Sequence, residues 1–280
     1  MASYAYRLVN VFARAGRLTG NPLCVFEDAR GIDDATLQAL ARQFNLSETT
    51  FILPSTCASA RVRIFTPSYE MPFAGHPTLG TAHVVRSLKG GDALTLEMTA
   101  GVIPVAAAGE RWTLTANAPT WRTVDETREE LASMLGLAAE DVAERPLWVT
   151  AGKEQLVVPL RDAGAVRRAR PRADAFTRLK SVDGLSMAYV FADAGDAAAR
   201  IEARFFFPNG PSIVEDPATG SACANLGGWF CALRPGQDIV REVSQGEAVA
   251  RPSTLYLAVT GGAITVGGRV VDLARGSLTL

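Results

Sequence analysis

Two short phrases hold most of the residues that could do chemistry in this chain. Ala74 to Ala82 reads AGHPTLGTA and Glu215 to Ala222 reads EDPATGSA, so that His76 and Asp216 occupy matched places 140 residues apart. An imidazole and a carboxylate brought to one substrate suit proton handling. Each phrase runs on into small apolar residues expected to form a helix, and a helix start offers unpaired backbone N–H groups and a positive dipole end. Two such starts facing each other across a cleft between domains would hold a small anion such as a carboxylate, and Gly75, Gly80 and Gly220 would let it approach the backbone. His76 and Asp216 are equally suited to cap their helices. Ser221 with His76 and Asp216 also contains the parts of a hydrolase triad, but it lies inside a small-residue helix and not at a Gly-x-Ser-x-Gly elbow, which disfavours acyl hydrolysis.

The third candidate is Glu48. LSETTFI (Leu46 to Ile52) is echoed by LSMAYVF (Leu185 to Phe191), where Met187 takes the place of the glutamate, so the site is asymmetric. A carboxylate at the end of a buried strand, facing a half-dry cleft, is expected to have its pKa raised by desolvation toward the range a general acid/base needs.

The elements that must position these residues also come in two copies. RIFTP (Arg63 to Pro67) is echoed by RFFFP (Arg204 to Pro208), which makes three matched blocks in one order at nearly constant offset. A period near 140 residues is too long for a solenoid and points to two similarly folded halves. TTFIL and MAYVF, then RVRIF and EARFFF, are β-branched and aromatic runs expected as strand pairs, the second of each pair stopping at a proline. Pro77 to Leu88 and Pro217 to Leu233 are expected as central helices, with proline at the first helical position. LTLEM, VIPVA and RWTLT are further strands, and LYLAVT, AITV and RVVDL are expected to be separated by hairpin turns at two Gly-Gly pairs. Asp33 to Phe44 and Glu126 to Gly136 show amphipathic helical spacing. The class expected is therefore α+β, with two tandem pseudo-symmetric domains, each a barrel-like, mostly antiparallel sheet around a central helix. The boundary is placed in TANAPTWRTVDET, dividing the chain into 1–118 and 119–280, with the last strand able to pack on the first domain.

Composition excludes several function classes. The 280 residues are 48% hydrophobic and 20% charged, with Lys+Arg 28 against Asp+Glu 29 and a net charge of −1. No basic and aromatic cluster suggests nucleic acid or an anionic membrane, and the densest basic run, AVRRARPR (Ala165 to Arg172), is expected to be a solvated loop. The first residues lack a signal peptide's pattern and no stretch of about 18 apolar residues occurs, so a cytoplasmic protein is expected. Cys24, Cys57, Cys223 and Cys231 form no Cys-x-x-Cys pair, and His76 and His83 stand seven apart, so neither disulfides nor a metal site is expected. Gly220 is followed by no Lys-Ser/Thr and no Gly-x-Gly-x-x-Gly occurs, which argues against a nucleotide cofactor.

The blocks NPLCVF, LSETTF, RIFTPSYEMPFAGHPTLGTAH, EDPATGSACANLGG and QGEAVARPS, in this order from Tyr6 to about Ser253, resemble the signature of the phenazine-biosynthesis isomerase family, the PhzF-like proteins, within the diaminopimelate epimerase-like fold. The resemblance implies an active site in the cleft between two similar domains, a homodimer, and a proton moved between carbons of a small carboxylate-bearing metabolite without cofactor or metal. It implies that Glu48 is the general acid/base, that His76 and Asp216 flank the substrate and assist, and that Gly75, Gly220 and Ser221 contact it. Related racemases and epimerases use two cysteines at the corresponding places, whereas Ala74 and Asp216 stand near them here, which disfavours two-thiol racemisation. A non-catalytic small-anion binder of the same fold is the alternative of a different class.

Overall fold

The computed structural model describes residues 1–143 and 145–280. By contacts the chain forms two units, Met1–Thr115 with Gly267–Leu280, and Ala116–Val266. The first contains β1 (Ser3–Val11), β2 (Asn21–Phe26), α1 (Asp34–Phe44), β3 (Thr49–Leu53), β4 (Ala60–Phe65), β5 (Glu70–Met71), α2 (Gly75–Lys89), β6 (Ala93–Met98), β7 (Gly101–Ala108) and β8 (Arg111–Thr115). The second contains β9 (Thr120–Thr123), α3 (Arg128–Leu135), β10 (Leu147–Thr150), β11 (Gln155–Pro159), α4 (Ala163–Arg168), α5 (Ala173–Phe176), β12 (Ala188–Asp193), β13 (Arg200–Asn209), β14 (Ser212–Asp216), α6 (Gly220–Leu233), β15 (Ile239–Gln245) and β16 (Ser253–Thr260). A long final strand, β17 (Ala263–Thr279), begins in the second unit and ends in the first. Among the described residues no helix is long and apolar enough to cross a membrane.

The first unit is a closed eight-stranded barrel. Its strands pair in the ring β1·β2·β3·β4·β6·β7·β8·β17 and back to β1, with β2·β3 and β4·β6 parallel. Closure leaves no sheet edge to protect, and α2 fills the interior, packed on β1, β2, β3, β4, β6 and β8. This explains why NPLCVF is apolar without alternation. Leu23 faces α2 while Cys24 and Phe26 face α1, where Phe26 stacks on Phe51 at 4.8 Å, so both sides of the strand are buried. The second unit repeats the pairing as β10·β11·β12·β13·β15·β16, again parallel at its second and fourth steps, and α6 takes the place of α2 against β9, β10, β11 and β16. The class is α+β.

Four local expectations give way to physical reasons. The central helices do not begin at proline: α2 starts at Gly75 and α6 at Gly220, with Ala74 and Thr219 as N-caps. Pro77 therefore sits inside the first turn, where its missing N–H has no partner to lose, and Pro217 precedes its helix altogether. The strand β13 does not stop at Pro208, which pairs with Ile213 of β14. Nor is Gly267–Gly268 a turn, for β17 runs through it, and a Cβ at Gly267 would come 2.7 Å from the Trp112 carbonyl oxygen. That pair permits close approach of backbone, a use of glycine that looks the same in sequence as a hairpin turn. The run AVRRARPR is also not simply a loop. It ends α4, and Arg167, Arg168 and Arg172 pair with Glu202, Asp141 and Asp174.

Candidate active site

The first unit places Glu48 and His76 side by side. After α1, Asn45 adopts the left-handed conformation and caps the helix through its N–H to Ala41, which turns the chain so that Glu48 immediately precedes β3. β3 runs parallel to β2, and a Thr50–Thr81 hydroxyl contact of 2.8 Å ties it to α2. His76 is the second residue of α2, and its Nε2 lies 3.4 Å from Glu48 Oε2, with the two side chains 7% and 15% exposed. Glu48 thus directly precedes its apolar strand, where the block LSETTFI puts it.

The imidazole is held neutral. Burial drives the His76 pKa down to about 3, against a smaller opposing effect of a hydrogen bond to the Pro22 carbonyl. With Nε2 in no hydrogen bond, the ring N–H that meets Pro22 is Nδ1–H, and Nε2 presents its lone pair toward Glu48. The linkage has a definite sign. An unfolded histidine titrates near 6.5, so between that value and about 3 the unfolded chain binds more protons. The contribution of this group to stability is complete above about pH 6.5 and is lost as pH falls toward 3. Accordingly the ring ¹⁵N shifts of His76 are expected to stay constant from pH 8 to pH 5, and a titration centred near 6.5 would contradict the buried neutral ring.

In the second unit Asp216 ends β14, three residues before the Thr219 cap, so His76 and Asp216 are matched in sequence but one lies on a helix and the other on a strand. Neither is an N-cap. Asp216 Oδ2 accepts the Thr219 hydroxyl at 2.5 Å, and Gln245 donates to the Asp216 carbonyl at 2.9 Å. Ser221, in the first turn of α6, accepts a hydrogen bond from Gln155 Nε2 at 3.1 Å. Gln155 is oriented in turn by Asn225, whose Oδ1 accepts from Ala151 N–H and whose Nδ2 donates to the Lys153 carbonyl and to Gln155 Oε1. An amide has no basicity to take the serine proton, so this hydroxyl is built to donate outward and not to attack.

Whereas α1, α3 and α4 carry side-chain caps from Asp33, Thr127 and Asp162, neither α2 nor α6 has a side-chain cap bond. Gly75 and Gly220 are their first residues, which is where an anion meets backbone N–H groups. Gly80 has a different role. A Cβ there would come 2.6 Å from Leu23 and 2.9 Å from Val11, so it lets α2 sit close on β1 and β2. The thiols offer no pair for proton transfer, since Cys24 and Cys223 are buried and desolvation pushes both well up from the ordinary range.

The residues that hold this site were not legible as functional. Gln245, Thr219 and Asn225 lie within quoted blocks, but only the fold shows what their amides and hydroxyl meet. Gly246, next to Gln245, has φ +84°, and a Cβ on it would collide with the Arg251 carbonyl and lie 2.5 Å from the Pro217 carbonyl. Gly246→Ala is expected to lower stability by about 1–3 kcal/mol or more, read as a drop in urea midpoint at unchanged m-value. An unchanged midpoint would show that this loop does not brace Asp216-Pro217.

Comparison with known proteins gives the family. The family model described as phenazine biosynthesis-like protein matches residues 9–276. An uncharacterized isomerase of Pasteurella multocida is 35% identical over 283 residues, covering 99% of this chain and 95% of its own. The trans-2,3-dihydro-3-hydroxyanthranilate isomerase of Pseudomonas chlororaphis is 34% identical, covering 98% of this chain and 99% of its own. The crystal structure of a Bacillus anthracis phenazine biosynthesis protein of the PhzF family superposes with a TM-score of 0.89 at 24% identity, over 100% of both chains, a likeness of fold.

Proposed function

The chain belongs to the phenazine biosynthesis-like protein family and is an isomerase, and we propose that it moves a proton between carbons of a small carboxylate-bearing metabolite, with Glu48 as general acid/base and no cofactor or metal. The observation that carries this reading is the placement of Glu48 Oε2 3.4 Å from a neutral His76 Nε2. Beside the lone pair of a neutral imidazole, the Glu48 carboxyl is placed as the group that takes a proton from one carbon and returns it to another. Electrons left by the departing proton delocalise through the unsaturated system next to the substrate carboxylate, and Glu48, once its proton has exchanged with solvent, delivers one to the new carbon. Within the first unit the uncapped start of α2 supplies N–H groups for a carboxylate, and the family resemblance adds Asp216 and Ser221 as assisting polar groups. The family resemblance extends the reading to a cytoplasmic homodimer.

The test is solvent-isotope incorporation. Incubated in D₂O with trans-2,3-dihydro-3-hydroxyanthranilate, the compound named for its relatives, and with a panel of small unsaturated carboxylates, the enzyme is expected to return one of them as an isomer carrying one deuterium. Absence of both isomer and deuterium across the panel would overturn the reading.

A further inference from the structure

One block of the sequence, QGEAVARPS, has no part in the chemistry above, yet its first residue reaches the candidate site. Gln245 ends β15 and is 1% exposed. Backbone groups fix which way its amide points. The Asp216 carbonyl needs a donor and takes Nε2–H at 2.9 Å, while the Thr219 N–H needs an acceptor and meets Oε1 at 3.3 Å. The same Nε2 lies 3.0 Å from Thr219 Oγ1, and the Tyr189 hydroxyl lies 3.2 Å from Oε1. Tyr189 is fully buried, and burial, together with the nearby Cys223 and Asp216, pushes its pKa well above 10, so its hydroxyl remains a donor.

These contacts set the direction of the next hydrogen bond. Thr219 Oγ1 accepts from Gln245, so its single proton is directed at Asp216 Oδ2, 2.5 Å away, a length typical of a hydroxyl donating to a carboxylate. We propose that Gln245 and Thr219 are positioning residues that fix the polarity of Asp216, holding it as an ionised hydrogen-bond acceptor at the site. The proposal deepens the functional reading above and rests on it for the meaning of Asp216.

The experiment follows the Asp216 carboxyl carbon by ¹³C NMR through a pH titration of the whole protein, in wild type and in Thr219→Val, Thr219→Ser and Gln245→Met. Removing the hydroxyl donor in Thr219→Val is expected to raise the Asp216 midpoint by about one pH unit, tenfold in proton affinity, while Thr219→Ser keeps the wild-type value and Gln245→Met falls between. Thr219→Val exchanges the hydroxyl for a methyl at nearly constant volume, whereas Thr219→Ser keeps the hydroxyl and loses the methyl, so a merely structural role would not make the midpoint follow the hydroxyl. Equal midpoints in wild type and Thr219→Val, or equal shifts in the valine and serine variants, would overturn the proposal. If Gln245→Met does not fold, the Thr219 pair still decides. Failure of the D₂O assay in wild type would remove the isomerase mechanism and leave this titration result standing, so the two readings fail separately.

Discussion

Glu48→Gln is expected to reduce deuterium incorporation into substrate by about 10²–10⁴-fold, the usual loss when a positioned general acid/base is removed. The substitution keeps the shape of the side chain and removes only its ability to gain and lose a proton. His76 Nε2, with no hydrogen bond of its own and 3.4 Å from Glu48 Oε2, can accept from the new amide, so the fold is expected to tolerate the change within about 1 kcal/mol. The loss should therefore fall on kcat, while affinity for the substrate, to which an isosteric amide presents the same shape, stays nearly constant. Glu48→Asp should keep part of the activity, because the titrating group survives while its reach shortens by about 1.5 Å. Exchange that continues undiminished in Glu48→Gln would assign the proton to another group.

How much of this could be read from the sequence depends on what each signal measures. The duplication was legible because it is written in residues, and the strand pairs TTFIL/RVRIF and MAYVF/EARFFF became β3·β4 and β12·β13. The central helices were legible in kind but not in start. Burial nearly all round erases the periodicity that would mark the first turn, and proline was a misleading guide in both copies. The helices α4 and α5, six and four residues long, are too short for a periodic pattern to stand out among arginines. Among the candidate residues, the types of Glu48, His76, Asp216 and Ser221 were visible, but the hydrogen-bond settings of the last three were not. Those are set by Pro22, Gln155, Asn225 and Gln245, partners far away in the chain whose amides and carbonyl are ordinary in any local window.

The same limit separates the two copies of an arginine that the repeat made look equivalent, and it leads to the largest expected effect on stability. Arg63 on β4 holds Glu70 on β5 through two bonds of 2.7 and 2.6 Å, and Arg204 on β13 holds Glu215 on β14 at 3.0 and 2.6 Å. Each guanidinium also lies over the aromatic ring two residues on, Phe65 or Phe206, at 5.1 and 4.7 Å. Their surroundings differ. Glu70 is 33% exposed and the second partner of Arg63, Asp34, is 82% exposed, whereas Arg204 and Glu215 are 9% and 6% exposed. Arg204 also donates to the Val166 and Ala169 carbonyls at the end of α4, and Glu215 Oε1 is buried with no hydrogen-bond partner among the described residues. Removing Arg204 thus leaves a desolvated carboxylate and unsatisfied carbonyls, while removing Arg63 leaves acids that water can reach. Arg204→Met is expected to cost about 3–5 kcal/mol and Arg63→Met about 1 kcal/mol or less, measured as urea midpoints at pH 7. Adding Glu215→Leu to Arg204→Met should recover part of the loss, because it removes the stranded charge. Equal costs at the two arginines would mean that burial does not distinguish the pairs. Since Glu215 adjoins Asp216, the pair that ties β14 to β13 also helps to hold the second unit's carboxylate in place.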